Sequence, residues 1–114
     1  MTGTPAGPDD DPLQDTVAQL ARSAGRRNQA RSDRVADLLR LDDGVRDPDR
    51  RSEAARLCHT IAGSAGTFGD GMLADAARAL QHVLESDEGD DAVLAALERF
   101  RATASARRPG GAGS

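Results

Sequence analysis

Apolar and small residues recur along this chain at helical rather than strand spacing, in four blocks separated by turn-forming residues. The first block carries Leu13, Val17, Leu20, Ala21, Ala24, Val35, Leu38 and Leu39. Asp11 before Pro12, with Gln14 following, has the form of a helix start: an N-cap, a proline at the first helical position and a capping-box partner. One long first helix to about Leu41 is predicted, and the very polar segment from Gly25 to Arg34 marks the place for a kink or break. Asp42-Asp43-Gly44 reads as the closing turn, and Asp47 with Pro48 opens a second helix over about 48–67. Phe68 and Gly69 form the next turn. Asp70 caps a third helix over about 71–86, with Leu73, Ala76, Ala77, Leu80, Val83 and Leu84 as its apolar stripe. After Ser86-Asp87-Glu88-Gly89, a fourth helix over about 90–106 shows Val93, Leu94, Leu97 and Phe100. Four amphipathic helices with short connections predict an all-α fold, an antiparallel up-down-up-down four-helix bundle. Residues 1–10 and 107–114 lack apolar periodicity and are expected to be disordered tails around a single domain at 11–106.

Composition narrows the function. The net charge is −4, and the only aromatic residues are Phe68 and Phe100, so neither a global attraction to phosphate backbones nor a set of base-stacking faces is present. No nucleic-acid partner is expected. All fifteen basic residues are arginines, which removes lysine Schiff-base chemistry and a lysine counter-ion for a phosphate. Cys58, the single cysteine, permits no internal disulfide and no multi-cysteine zinc site, and it falls on the core side of its helix. No apolar run approaches the roughly 18 residues of a membrane span, and the Asp-rich start is unlike a signal peptide. A cytoplasmic protein is expected, with no membrane partner. The initiating Met and the composition of both ends predict a freestanding protein; a monomer is expected, though nothing in the sequence sets the oligomeric state.

The second helix is the unusual one. Gly63 and Gly66 interrupt it, each costing about 1 kcal/mol relative to alanine in a helix interior. On a helical wheel Leu57, Ile61 and Phe68 lie about 160–200° from His59, flanked by Ala54, Cys58 and Ala65, and form the expected core face. Ser52, Ala55, Arg56, Ala62, Gly63 and Gly66 lie within about 60° of His59, and all but Arg56 are small. The imidazole is therefore expected on a solvent-facing, nearly flat strip. A core histidine would need the apolar side of the wheel.

The stretch from Cys58 to Gly69 resembles the histidine-containing phosphotransfer (HPt) domains of two-component phosphorelays. Cys58 stands at the small position before the histidine, His59 at the phosphorylated one, Ile61 at a leucine position, and Gly63-Ser64-Ala65 match directly. The run to Gly69 also matches, and Leu73, Ala77 and Leu80 continue the spacing of the next helix. The departure is Ala62, where many members carry a lysine that balances the phosphate, although some carry alanine. The resemblance implies that His59 accepts a phosphoryl group from one receiver-domain aspartate and passes it to another. It implies no cofactor or metal of the chain's own, since Mg²⁺ comes from the partner receiver. It further implies a carrier rather than a complete enzyme, without kinase activity, whose partners are receiver domains of response regulators or hybrid histidine kinases.

Gln81 falls where some members place a glutamine that bonds the imidazole or its phosphate, and an ordinary exposed glutamine is the alternative. Arg56, one turn before His59, is placed to supply the charge that Ala62 lacks, or is a solvated surface residue. Arg78 and His82 fall on the polar side of the third helix and edge the same surface. Arg22, Arg26, Arg27, Arg31 and Arg34 form a basic run, read either as a solvated face or as a steering surface for an acidic receiver. An HPt-like docking or inhibitory module whose histidine is never phosphorylated is the alternative function.

Overall fold

The computed structural model describes residues 12–40 and 44–107. The described residues form four helices: α1 (Pro12–Arg40), α2 (Pro48–Thr67), α3 (Gly71–Leu84) and α4 (Asp90–Ser105). Each packs on its sequence neighbour and α1 meets α4, which is the predicted up-down-up-down bundle. Asp11, Asp42 and Asp43 and the tails before residue 12 and after residue 107 lie outside the described residues.

The predicted caps are in place. The Asp47 carboxylate accepts from the backbone N–H groups of Asp49 (2.9 Å) and Arg50 (3.2 Å), and that of Asp70 accepts from Leu73 N–H (3.2 Å), satisfying donors with no partner inside their own helix. At the end of α2, Gly69 adopts φ +85°, its N–H donates to Gly66 O (3.3 Å), and Asp70 N–H reaches back to Ala65 O (2.8 Å). This is a Schellman closure, and a side chain at Gly69 would be strained in that left-handed conformation. Helix α4 starts at Gly89 with no side-chain cap.

Every helix contributes to the centre of the core: Val35 from α1, Cys58 and Ile61 from α2, Leu80 from α3, Val93 and Phe100 from α4, all fully buried. Burial pushes the Cys58 thiol up to about 12, which keeps it an unreactive packing group. Leu94, expected on the apolar stripe of α4, is instead exposed, and Ala104 closes that stripe.

Helix α1 runs without a break through Gly25. Its polar middle is a packed layer: Asn28 and Ser32 are buried, Asn28 Nδ2 donates to Ser64 Oγ in α2 (3.2 Å), and Arg31 donates to Asn28 Oδ1 (2.8 Å). Gln29 Nε2 donates to Ala104 O in α4 (2.8 Å). The bonds from Asn28 and Gln29 cross to α2 and α4 and supply partners that solvent would otherwise provide, while Gln29 Oε1 is left buried without one.

Arg107, expected to open a disordered tail, is held in the fold. Its guanidinium spans both Asp70 oxygens (2.6 and 2.9 Å) and donates to Thr103 O (3.0 Å), tying the end of α4 to the α2–α3 turn. The hydrogen bond from Arg107 holds the Asp70 carboxyl below its ordinary value, aided by Leu73 N–H and the arginine's charge and opposed by partial burial. A carboxylate depressed in the folded state contributes stability that is complete above its unfolded value near about 3.9. That contribution fades as pH falls through the lower folded-state value. Asp70→Asn, which keeps a capping oxygen but removes the charge pair, is expected to lower stability by about 1 kcal/mol at pH 7. Urea unfolding midpoints of the two proteins should converge as the pH falls through the lowered folded-state value of Asp70.

Candidate functional site

His59 lies in the middle of α2 with its side chain exposed. Ser52, Arg56, Thr60, Gly63 and Gly66 share its exposed side, but Ala55 and Ala62 are buried, at 6% and 4% exposure. The expected flat strip is thus only half open. The buried face of α2 runs through Ala54, Ala55, Cys58, Ile61, Ala62 and Ala65, centred about a quarter-turn from His59 rather than opposite it. Leu57 is half-buried and Phe68 is 38% exposed, at the far edge of that face. Helix α3 packs along α2, and its Gln81 and Leu84 share a groove with Ala55 and His59. His59 therefore stands at the lip of the α2–α3 seam.

Neither Gly63 nor Gly66 is demanded by packing among the described residues. A Cβ built on Gly63 meets nothing within 4 Å, and one on Gly66 meets only a guanidinium nitrogen of Arg78 at 3.6 Å. Gly63 thus gives up helix stability with no packing reason among the described residues. The next two residues serve the fold: Ser64 accepts the bond from Asn28, and Ala65 is buried.

Beside His59 opens a groove of about 910 Å³, walled by α2, the end of α3 and the loops that precede α2 and α4. His59, Arg56 and Gln81 all line it, so the structure brings these three predicted residues together. Gln81 is half-buried, and its amide donates to the Glu85 carboxylate in contacts of 3.4 and 3.5 Å, long enough to exchange readily. Of the three arginines lining the groove, Arg46 is paired with Asp90 at 2.6 Å. Arg51 is spent on the carbonyls of Val45 (2.7 Å) and Leu84 (3.1 Å), closing the C-terminus of α3. The guanidinium of Arg56 makes no ion pair or hydrogen bond with any described residue, which leaves it available to an incoming anion. Arg78 pairs with Asp75 (3.3 Å) and leans over Gly66, outside the groove. His82 is exposed and does not line the groove either. In the basic run, Arg34 is paired with Glu53 (3.1 Å), and Arg27 and Arg31 are bonded within α1.

Sequence reasoning missed Arg51. Its role depends on carbonyls 32 and 33 positions away, and no local pattern encodes such a contact.

The fold and this surface define a class: a four-helix bundle presenting an exposed histidine on its second helix beside a helix–helix groove. The family model of the Hpt domain matches residues 13–108, and the chain belongs to that family. Members act in histidine phosphotransfer within two-component phosphorelays, working with kinases and response-regulator receiver domains. No curated protein and no solved structure matches the chain significantly. No helix among the described residues is long and apolar enough to cross a membrane.

Proposed function

We propose that this protein is a phosphorelay carrier in which His59 is the phosphoryl acceptor. A ring nitrogen of His59 attacks the phosphorus of a receiver's aspartyl phosphate. The N–P bond forms as the acyl phosphate P–O bond breaks, the carboxylate leaves with the bonding pair, and the imidazole proton passes to solvent. A second receiver aspartate reverses the sequence. The transition state is loose, so alignment and charge neutralisation carry most of the catalysis. Both come largely from the receiver, whose acidic pocket holds Mg²⁺.

The chain's own residues hold the nucleophile and leave space around it. Gly63 and Gly66 let the receiver's rim approach α2, and Ala62, sunk in the seam, keeps that side free of a side chain. Gln81 turns from Glu85 to the imidazole or its phosphate, and Arg56 offsets the added negative charge from one turn before His59. The observation that carries this reading is the pairing of an exposed histidine with a glycine whose Cβ would meet nothing.

Incubation with a phosphorylated receiver, quenched in acid and in base, tests it. The transferred phosphate should survive base and be lost in acid, as a phosphoramidate is, and should be absent from His59→Gln. Unlabelled wild type that still binds the receiver would point instead to a docking or inhibitory module.

A further inference from the structure

Helices α2 and α3 form an antiparallel hairpin, and His59 and Gln81 stand on its two arms. At one end the chain itself joins the arms, where Asp70 N–H donates to Ala65 O (2.8 Å). At the other end no turn links them, since Pro48 starts one arm and Leu84 finishes the other. Arg51, half-buried in the first turn of α2, bridges that open end. One guanidinium nitrogen donates to Leu84 O (3.1 Å), with a longer contact to Val83 O (3.4 Å), and another donates to Val45 O in the loop before α2 (2.7 Å). The two α3 carbonyls are among the last four of that helix, which have no partner in its own ladder. Arg51 therefore clasps the preceding loop, α2 and the end of α3 together, and Val45, Arg51 and Leu84 all line the groove beside His59.

We propose that Arg51 is a positioning residue for phosphoryl transfer: by holding the end of α3 against α2, it sets the reach from Gln81 to His59. The inference rests on the reading above, in which Gln81 turns from Glu85 to the imidazole or its phosphate. Gln81 lies one turn before the clasped end of α3, on the wall of the same groove. Between Arg51 and His59 the buried face of α2 offers Ala54, Ala55 and Cys58, which allow close approach but give few contacts to resist splaying of the helix ends. A hydrogen bond across the seam needs its two heavy atoms about 3 Å apart, so a small outward shift of the α3 end breaks it while the bundle stays folded. Arginine suits the task because its planar fork carries donors in fixed directions, here toward two separate segments of backbone. The single ammonium nitrogen of a lysine cannot occupy both ends of that fork.

A double-mutant cycle of Arg51→Gln and Gln81→Ala, with transfer from a phosphorylated receiver domain followed over a range of receiver concentrations, tests this. Arg51→Gln should lower the saturated rate about tenfold and leave the half-saturating receiver concentration unchanged. Gln81→Ala should lose as much, and the double variant should be no slower than either single one. Arg51→Lys, which keeps the charge and one bond, should fold as the wild type does and lose rate only where Gln81 is present. In the unphosphorylated protein, hydrogen exchange at the last-turn amides of α3 should quicken in Arg51→Gln and not in Gln81→Ala. Losses that multiply to about a hundredfold in the double variant overturn the inference, as does full speed in either single variant or a loss confined to the half-saturating concentration. Unchanged exchange in Arg51→Gln overturns it whether or not any phosphate is carried. A wild type that accepts no phosphate removes the carrier reading and this inference with it, a failure told apart because exchange at the end of α3 still quickens.

Discussion

Leucine in place of Gly63 is expected to slow phosphoryl transfer from a receiver by about a hundredfold while making the protein more stable rather than less. A Cβ there meets nothing within 4 Å among the described residues, so folding gains the helix preference that glycine forgoes, about 0.5–1 kcal/mol. The cost falls on the partner, whose active site has to bring an aspartate within bonding distance of an imidazole one turn away. Gly63→Ala should show the same gain in stability with a far smaller loss of rate. Transfer time courses beside urea unfolding check both halves. Unimpaired transfer in the leucine variant would mean that the receiver approaches from the α3 side of His59 instead.

Truncating the two phenylalanines should have very unequal effects. Phe100 is fully buried at the junction of the core, and Phe100→Ala is expected to cost about 3–5 kcal/mol, a large share of a small domain's stability. Phe68, at 38% exposure beyond the last turn of α2, should cost only about 1 kcal/mol when changed in the same way. Urea midpoints provide the comparison. Equal losses would mean that the core of α2 points toward Leu57 and Phe68, as its wheel suggests, and not toward Cys58 and Ala62.

That wheel shows where the sequence was legible and where it was not. Helix ends are local chemistry, and Asp47, Asp70 and Gly69 could be read in place because a cap needs only its own next few residues. The direction of burial in α2 is not local. Leu57, and Phe68 just beyond the helix, pull the apolar pattern to one side, while the buried residues of α2 are, apart from Ile61, small: Ala54, Ala55, Cys58, Ala62 and Ala65. The unbroken middle of α1 was hidden for a related reason: Asn28 and Gln29 look solvent-directed until Ser64 and Ala104 arrive from distant parts of the chain. Leu13, Val17 and Leu20 fit the core period correctly, yet the bundle ends before it reaches them. His59, Gln81 and Arg56 could each be singled out as candidates, His59 and Arg56 from a helix face and Gln81 from a family position. Their convergence on one groove, and the commitment of Arg46 and Arg51 elsewhere, required the packed helices.

The chain has two histidines, His59 on the groove and His82 outside it, so the position of the phosphate decides the account. Fragmentation mass spectrometry of the intact protein, kept at neutral pH after loading by a phosphorylated receiver, locates it directly. A single phosphoryl group on the imidazole of His59 is the predicted result; a phosphate on His82, or none on a protein that still binds the receiver, would contradict it.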